Sequence, residues 1–162
     1  MAKLTLLCGK ICSGKTTYAQ QLKREKNAVV LSVDTLMRQL FEECQGEVKH
    51  RENEALVKKY LWSMAEEILF TGTNVILDWG FWTKDERESA RAHCMEWDLP
   101  YEFRYVKVSD KQWEMNIDAR NSAIEVGILN EYYIDDKMKY IQGGRFEEPK
   151  DSEMDVIYTY EE

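Results

Sequence analysis

Proline is almost missing: there are 2 in 162 residues, and no stretch is dominated by glycine, serine or one charge. With 44% hydrophobic and 12% aromatic residues, such a chain is no disordered linker. Histidine is scarce as well. His50 and His93 are the two, and neither stands at zinc-finger spacing from a cysteine pair. The cysteines, Cys8, Cys12, Cys44 and Cys94, include no CxxC motif. No apolar run approaches the length of a membrane span, so a membrane partner is not expected. Met1-Ala2-Lys3 leads straight into a strand-like run instead of a signal peptide. Free thiols without an export signal give the expectation of a reducing, cytoplasmic location. Positive charge is in deficit too: 22 Lys and Arg stand against 30 Asp and Glu, a net charge of −8. Proteins that live on nucleic-acid phosphates are usually basic, so nucleic acid is disfavoured as a partner.

What is present is a regular alternation. Leu4–Cys8, 28–33, 74–78, 101–108 and 155–159 read as strands, the first a continuous apolar run suited to a strand covered on both faces. Helices are expected over 14–26, 35–43, 52–70, 83–96, 111–125 and 130–141, with a polar loop near 44–51. Thr83 with Glu86, and Ser109 with Gln112, have the spacing of capping boxes. Strands and helices alternating in this way imply an α/β domain, a parallel sheet with helices on both faces, occupying residues 1–162 as one unit. Ligands of such sheets bind at the carboxyl ends of the strands.

Gly9-Lys10-Ile11-Cys12-Ser13-Gly14-Lys15-Thr16 matches G-x-x-x-x-G-K-[ST] between a buried strand and a helix, the context this phosphate-binding motif requires. Its glycines let successive N–H groups curl around an anion, and the helix aims its positive end at the same point. Lys15 reaches the β- and γ-phosphates, and the Thr16 hydroxyl suits Mg²⁺. The nucleotide-contacting set is thus Gly9, Cys12, Ser13, Gly14, Lys15, Thr16 and Thr17. Lys10 and the Cys12 side chain read as spacers, although a helix N-terminus can also lower a thiol pKa and make Cys12 redox-active.

Asp34 and Asp78 fall where the second and third strands end, hence on the ligand edge. Phosphoryl transfer needs one group to orient or deprotonate the attacking hydroxyl and one to help hold the metal. Asp78 follows Val75-Ile76-Leu77 in the manner of a Walker B strand, which makes it the metal partner of Thr16 and Asp34 the base. The roles can be exchanged, Asp78 can instead touch substrate, and each residue also has a plain reading, Asp34 as a helix N-cap and Asp78 as a strand-end turn. Arg120 lies late on its helix before Gly127, where a flap over about 119–131 forms a candidate lid whose guanidinium can close over phosphates; a solvated surface arginine is the alternative. Trp113, Ile117 and Ile124 read as core packing. Arg38 is one turn beyond Asp34 and either binds an acceptor anion or pairs with Asp34. Arg87 contacts substrate or forms a surface salt bridge. Trp79-Gly80-Phe81-Trp82 either stacks a flat substrate or plugs the sheet edge. Phe146-Glu147-Glu148-Pro149 is expected at the opposite end of the sheet, as structure.

The phosphate loop, Asp34 with Arg38, Asp78 to Trp82 with Arg87, the Trp113/Asn116/Arg120-Asn121 pattern and 146–149 with Glu153 together resemble the small P-loop kinases of the zeta-toxin, polynucleotide-kinase and chloramphenicol-phosphotransferase type, the AAA_33-like ATP-binding proteins. The resemblance spans nearly the whole chain. It implies a P-loop NTPase three-layer sandwich of five parallel strands in the order 2-3-1-4-5, with ATP and Mg²⁺ as cofactors. It also implies Asp34 as general base and Arg120 as phosphate clamp, making Lys15, Asp34 and Arg120 the catalytic set. Asp34, Arg38, Asp78, Trp79 and Arg87 are then the substrate-side residues. The expected activity is transfer of the γ-phosphate to a hydroxyl of a small molecule such as a nucleoside, sugar or antibiotic. A polynucleotide 5′-hydroxyl kinase and a non-kinase ATP-binding regulator are the alternatives.

Overall fold

The strand-forming runs of the sequence pair into one parallel sheet in a computed structural model that describes residues 1–41 and 46–160. Its strands are β1 (Leu4–Cys8), β2 (Ala28–Ser32), β3 (Asn74–Gly80), β4 (Tyr101–Lys107) and β5 (Val156–Thr159), in the order β2-β3-β1-β4-β5. Between them run α1 (Lys15–Lys26), α2 (Val33–Leu40), α3 (Glu47–Phe70), α4 (Lys84–Glu96), α5 (Asp110–Glu125) and α6 (Asp136–Arg145), and a 3₁₀ turn over Asp151–Glu153 precedes β5.

Side-chain alternation along β1 divides the core between the two faces. Leu4, Leu6 and Cys8 join Val75, Leu77 and Phe103 beneath Ala65 and Leu69 of α3 and Ala90 and Cys94 of α4. Leu7 joins Ile76 and Val106 against Tyr18, Ala19 and Leu22 of α1. The doubly covered apolar run and the parallel three-layer α/β architecture are therefore as the sequence implies.

Several boundaries differ from the sequence reading. The helix α3 starts at Glu47 and not near residue 52, because Arg51 and Arg145 both pair with Glu47 and support an otherwise polar first turn. On its inner side Val57, Leu61, Ala65 and Leu69 are buried, while Leu56 and Tyr60 are exposed. The helix α2 ends at Leu40; residues 42–43, expected within it, and Cys44 lie outside the described residues. The last helix begins at Asp136 and not at 130. The Asn121 side chain takes both backbone groups of Ile134, Nδ2 donating to its carbonyl and Oδ1 accepting from its N–H, which withdraws them from any helix. Asp135 then caps α6 by accepting from the Met138 N–H.

Residues 146–149 are at the ligand edge, opposite to the expectation. The Glu147 N–H donates to the Trp82 carbonyl at 2.8 Å, and Glu147 Oε2 accepts from the Lys84 N–H at the start of α4. A strand parallel to its neighbours must be entered from the far end, so the chain crosses the carboxyl edge here and descends along the sheet before β5. Asp155 anchors that descent by bonding the backbone of Phe103 in both directions.

Candidate active site

The carboxyl ends of β1 and β3 carry the phosphate loop and its nearest partners. The Gly9 N–H donates to the Gly80 carbonyl at 2.9 Å, and the Trp82 indole N–H donates to the Gly9 carbonyl at 3.1 Å. Gly9 has no room for a side chain: an added Cβ would lie 2.7 Å from Ser13 Oγ and 2.9 Å from the Val106 carbonyl. Gly14 caps α1 at φ +91°, a left-handed conformation that disfavours any other residue. Its own Cβ would meet the Tyr160 ring at 2.5 Å, and the Tyr160 hydroxyl donates to the Gly14 carbonyl at 2.7 Å. Ser13 is fully buried, and its hydroxyl has no partner among the described residues. A buried polar atom without a partner in a glycine-lined loop is what an anion-binding cradle should contain before its ligand arrives.

Lys15 Nζ donates to the Lys10 carbonyl at 2.8 Å. Burial pulls its ammonium pKa down, while the Asp78 and Asp34 carboxylates oppose that shift. The Thr16 hydroxyl donates to Asp78 Oδ2 at 2.9 Å. Burial raises the Asp78 pKa, Lys15 and Thr16 counter it, and the neighbouring Asp34 and Glu131 charges raise it further. A hydroxyl beside a buried carboxylate is a hard oxygen donor set that fits Mg²⁺ completed by phosphate and water. Asp34 is exposed in the first turn of α2 and free of the capping role, since Ser32 is the N-cap and accepts from the Thr35 N–H.

One face of α5 braces the loop. Trp113 Nε1 donates to the Ile11 carbonyl at 2.6 Å, Asn116 Nδ2 to the Cys12 carbonyl at 2.9 Å, and Arg120 Nη1 contacts Cys12 Sγ at 3.6 Å. Residues 113, 116 and 120 share a stripe at helical spacing. Trp113 is therefore a half-buried brace, with Lys10 Nζ 4.1 Å from its ring centre, and not the core residue the sequence suggests; Ile117 is the buried one. Cys12 is not poised for redox chemistry, because burial pushes its thiol pKa up.

Not every expected residue joins the site. Arg87 is 1% exposed and donates to the Phe81, Trp82 and Glu147 carbonyls and to Glu153 Oε2, so its guanidinium is occupied in holding the chain and is unavailable to a substrate. Trp79 lies on the opposite face of β3 from Asp78, as alternation requires. Its indole N–H donates to the Leu31 carbonyl, and its ring lies against Trp62 and Phe81 on the wall of a cavity of about 460 Å³ between α3 and α4. Phe81 is buried and Trp82 is bonded to Gly9, so these two aromatics pack and hold the sheet edge. Arg38 stands over the Tyr132 ring at 5.9 Å and makes no ion pair with Asp34 among the described residues. Two contributors were missed from sequence. Tyr160 could have been suspected as an aromatic just past β5 on the ligand edge. Glu131, whose Oε2 is 3.0 Å from Arg120 Nη2, lies in a loop with no pattern to mark it.

Comparison with known proteins places this geometry in a known fold. The solved structures similar to the chain include the Mycobacterium tuberculosis APS kinase CysC in complex with AMPPNP and APS, at 19% identity and a TM-score of 0.63, covering 98% of this chain and 88% of that one. Chaetomium thermophilum Kti12 in complex with ADP-AlF3 is similar at 18% identity and a TM-score of 0.69, covering 97% and 88%. A gluconokinase from Sinorhizobium meliloti 1021 is similar at 13% identity and a TM-score of 0.64, covering 97% and 82%. No curated protein matches the sequence. These likenesses show that the chain shares the fold of those proteins. The family model described as an AAA domain, AAA_33, matches residues 4–129, from the first strand through the α5 brace, and the chain belongs to that family.

Proposed function

We propose that the protein is an ATP-dependent phosphotransferase that moves the γ-phosphate to a hydroxyl group of a small molecule. The observation that carries this reading is the convergence on one loop of Lys15, the Thr16–Asp78 pair and the exposed Asp34 carboxylate. The loop amides and Lys15 hold the phosphate chain. Thr16 and Asp78 are the residues that would hold Mg²⁺, which supplies neutralising charge on the phosphates. Asp34 orients the acceptor and takes the proton of its hydroxyl as the oxygen attacks the γ-phosphorus. The new O–P bond forms as the bond to the β–γ bridging oxygen breaks, and ADP leaves. Arg120, in a lid formed by the end of α5 and the segment that follows, offers its guanidinium to the charge that spreads over the transferring group. The similar structures bound to AMPPNP and to ADP-AlF3 support a nucleotide at this loop, and the acidic balance of the chain favours a small acceptor over a nucleic-acid end.

Cys8, Cys12 and Cys94 are free thiols, and among the described residues no helix is long and apolar enough to cross a membrane. Both fit a cytoplasmic enzyme.

The test is transfer of labelled γ-phosphate across a panel of hydroxyl compounds, with Asp34→Asn as control. Labelling of an acceptor by the wild type and its loss in the variant are expected. Tight ATP binding with no acceptor labelled, and no effect of Asp34→Asn, would instead favour a nucleotide-binding regulator. Lys15→Ala should abolish both nucleotide binding and turnover.

A further inference from the structure

Two arginines in this fold are used in different ways. The Arg87 guanidinium donates to three carbonyls through Nη1 and to a carboxylate through Nε. Arg120 is less engaged. Among the described residues its Nε is buried without a partner, and its Nη1 meets only Cys12 Sγ, a weak acceptor, at 3.6 Å. Its one strong acceptor among the described residues is Glu131 Oε2, 3.0 Å from Nη2, with the two side chains 18% and 29% exposed. A guanidinium beside a phosphate loop with donors left over is an arginine awaiting a multidentate anion.

Glu131 is placed with some care for a loop residue. Asn121, next to Arg120 on α5, grips Ile134 by both backbone groups, so the segment that carries Glu131 is tied back to the helix that carries Arg120. A carboxylate there accepts the same charge-assisted hydrogen bonds a phosphate would. We propose that Glu131 is a built-in competitor for Arg120: its carboxylate holds the guanidinium beside the phosphate loop and yields it to the phosphates of an incoming nucleotide. The inference rests on the nucleotide-binding part of the reading above. It makes Glu131 a positioning residue that acts through Arg120 and sets how tightly polyphosphate is held.

The consequence has a definite sign. Removing the competitor frees Arg120 for phosphate, so Glu131→Gln should tighten binding of a non-hydrolysable ATP analogue by about threefold to fivefold, the range of a partly exposed ion pair. Glu131→Asp should stay near wild type. In an Arg120→Gln background the Glu131→Gln change should have almost no effect, because the group through which it acts is gone. The measurement is calorimetric titration of the analogue into the wild type, the three single variants and the double variant, with thermal melts to confirm folding. Unchanged or weaker binding by Glu131→Gln overturns the proposal. So does an equal gain in both backgrounds, since that would be plain charge repulsion without Arg120. Because no acceptor is present, the expected cycle together with a failure to label any hydroxyl would support the competitor while sinking the phosphotransferase reading. A wild type that binds no nucleotide removes both.

Discussion

The Trp113 indole N–H reaches across 102 positions of sequence to donate to the Ile11 carbonyl at 2.6 Å, and so ties α5 to the crest of the phosphate loop. One helical turn on, Asn116 does the same at Cys12. The loop is therefore shaped from outside as well as by its glycines. This fits the left-handed Cys12, at φ +57°, a conformation that non-glycine residues seldom hold unaided.

Removing one of these bonds should be felt as nucleotide affinity. Asn116→Ala leaves the Cys12 carbonyl without its donor, and the loss of about 1 kcal/mol of loop organisation should raise the nucleotide Kd about fivefold. Titration calorimetry checks this, with a melting curve to show that the fold is intact.

Asp34 should behave differently. Its carboxylate is exposed and is not spent on capping α2, so Asp34→Asn should hardly change ATP affinity. If it is the base, kcat toward the preferred acceptor should fall by about 10²- to 10⁴-fold. A variant with weakened ATP binding but an unchanged kcat would assign Asp34 to the nucleotide and not to the acceptor.

Arg87 is expected to fail as a protein and not as an enzyme. Arg87→Met takes a buried donor away from three carbonyls and from the partly exposed Glu153 carboxylate, at a cost of about 3 kcal/mol. The melting temperature should drop by roughly 9 °C for a chain of this length. Whatever enzyme survives should keep the wild-type KM for its acceptor.

A pH effect is expected far from the site. Glu102 is buried near the start of β4 and accepts from Lys3, Lys26, Arg104 and Thr5. Burial alone would raise its pKa, but the hydrogen bonds from Arg104, Lys26 and Lys3 outweigh it and hold the carboxyl well below the usual carboxylate range. A depressed folded-state pKa contributes stability that is present above the unfolded value, about 4.3, and is lost as pH falls below it. Glu102→Gln should thus cost about 2 kcal/mol near neutrality. The gap to wild type should close progressively below about pH 4. Chemical denaturation of both proteins across that range measures it; a gap that widens in acid would contradict the assignment.

The parts of this fold that could be read from sequence are those in which local pattern and global role coincide. Leu4–Cys8 followed by the glycine-rich loop and α1 marks its strand, its turn and a candidate anion cradle at once. Thr83 and Glu86 likewise mark the start of α4, where both halves of the capping box are formed. The misreadings share a different cause. An arginine on a helix looks the same in sequence whether it faces water or, like Arg87, is covered by a segment 60 residues away. Trp113 has the spacing of a core residue, but the surface it covers is a loop and not the sheet. Glu131 and Tyr160 reach the site from loops and strand ends, where no periodicity constrains what stands there.

The contact of Tyr160 with Gly14 makes one further point. Position 14 is restricted twice over, by a left-handed backbone and by an aromatic ring that already fills the space of a Cβ. Glycine there answers to the far end of the chain as well as to phosphate, so an alanine at 14 should injure the apoprotein before any ligand is offered. A genetic screen for suppressors of Gly14→Ala should return smaller residues at 160, each giving partial relief, because a shorter side chain removes the collision and leaves the backbone cost in place.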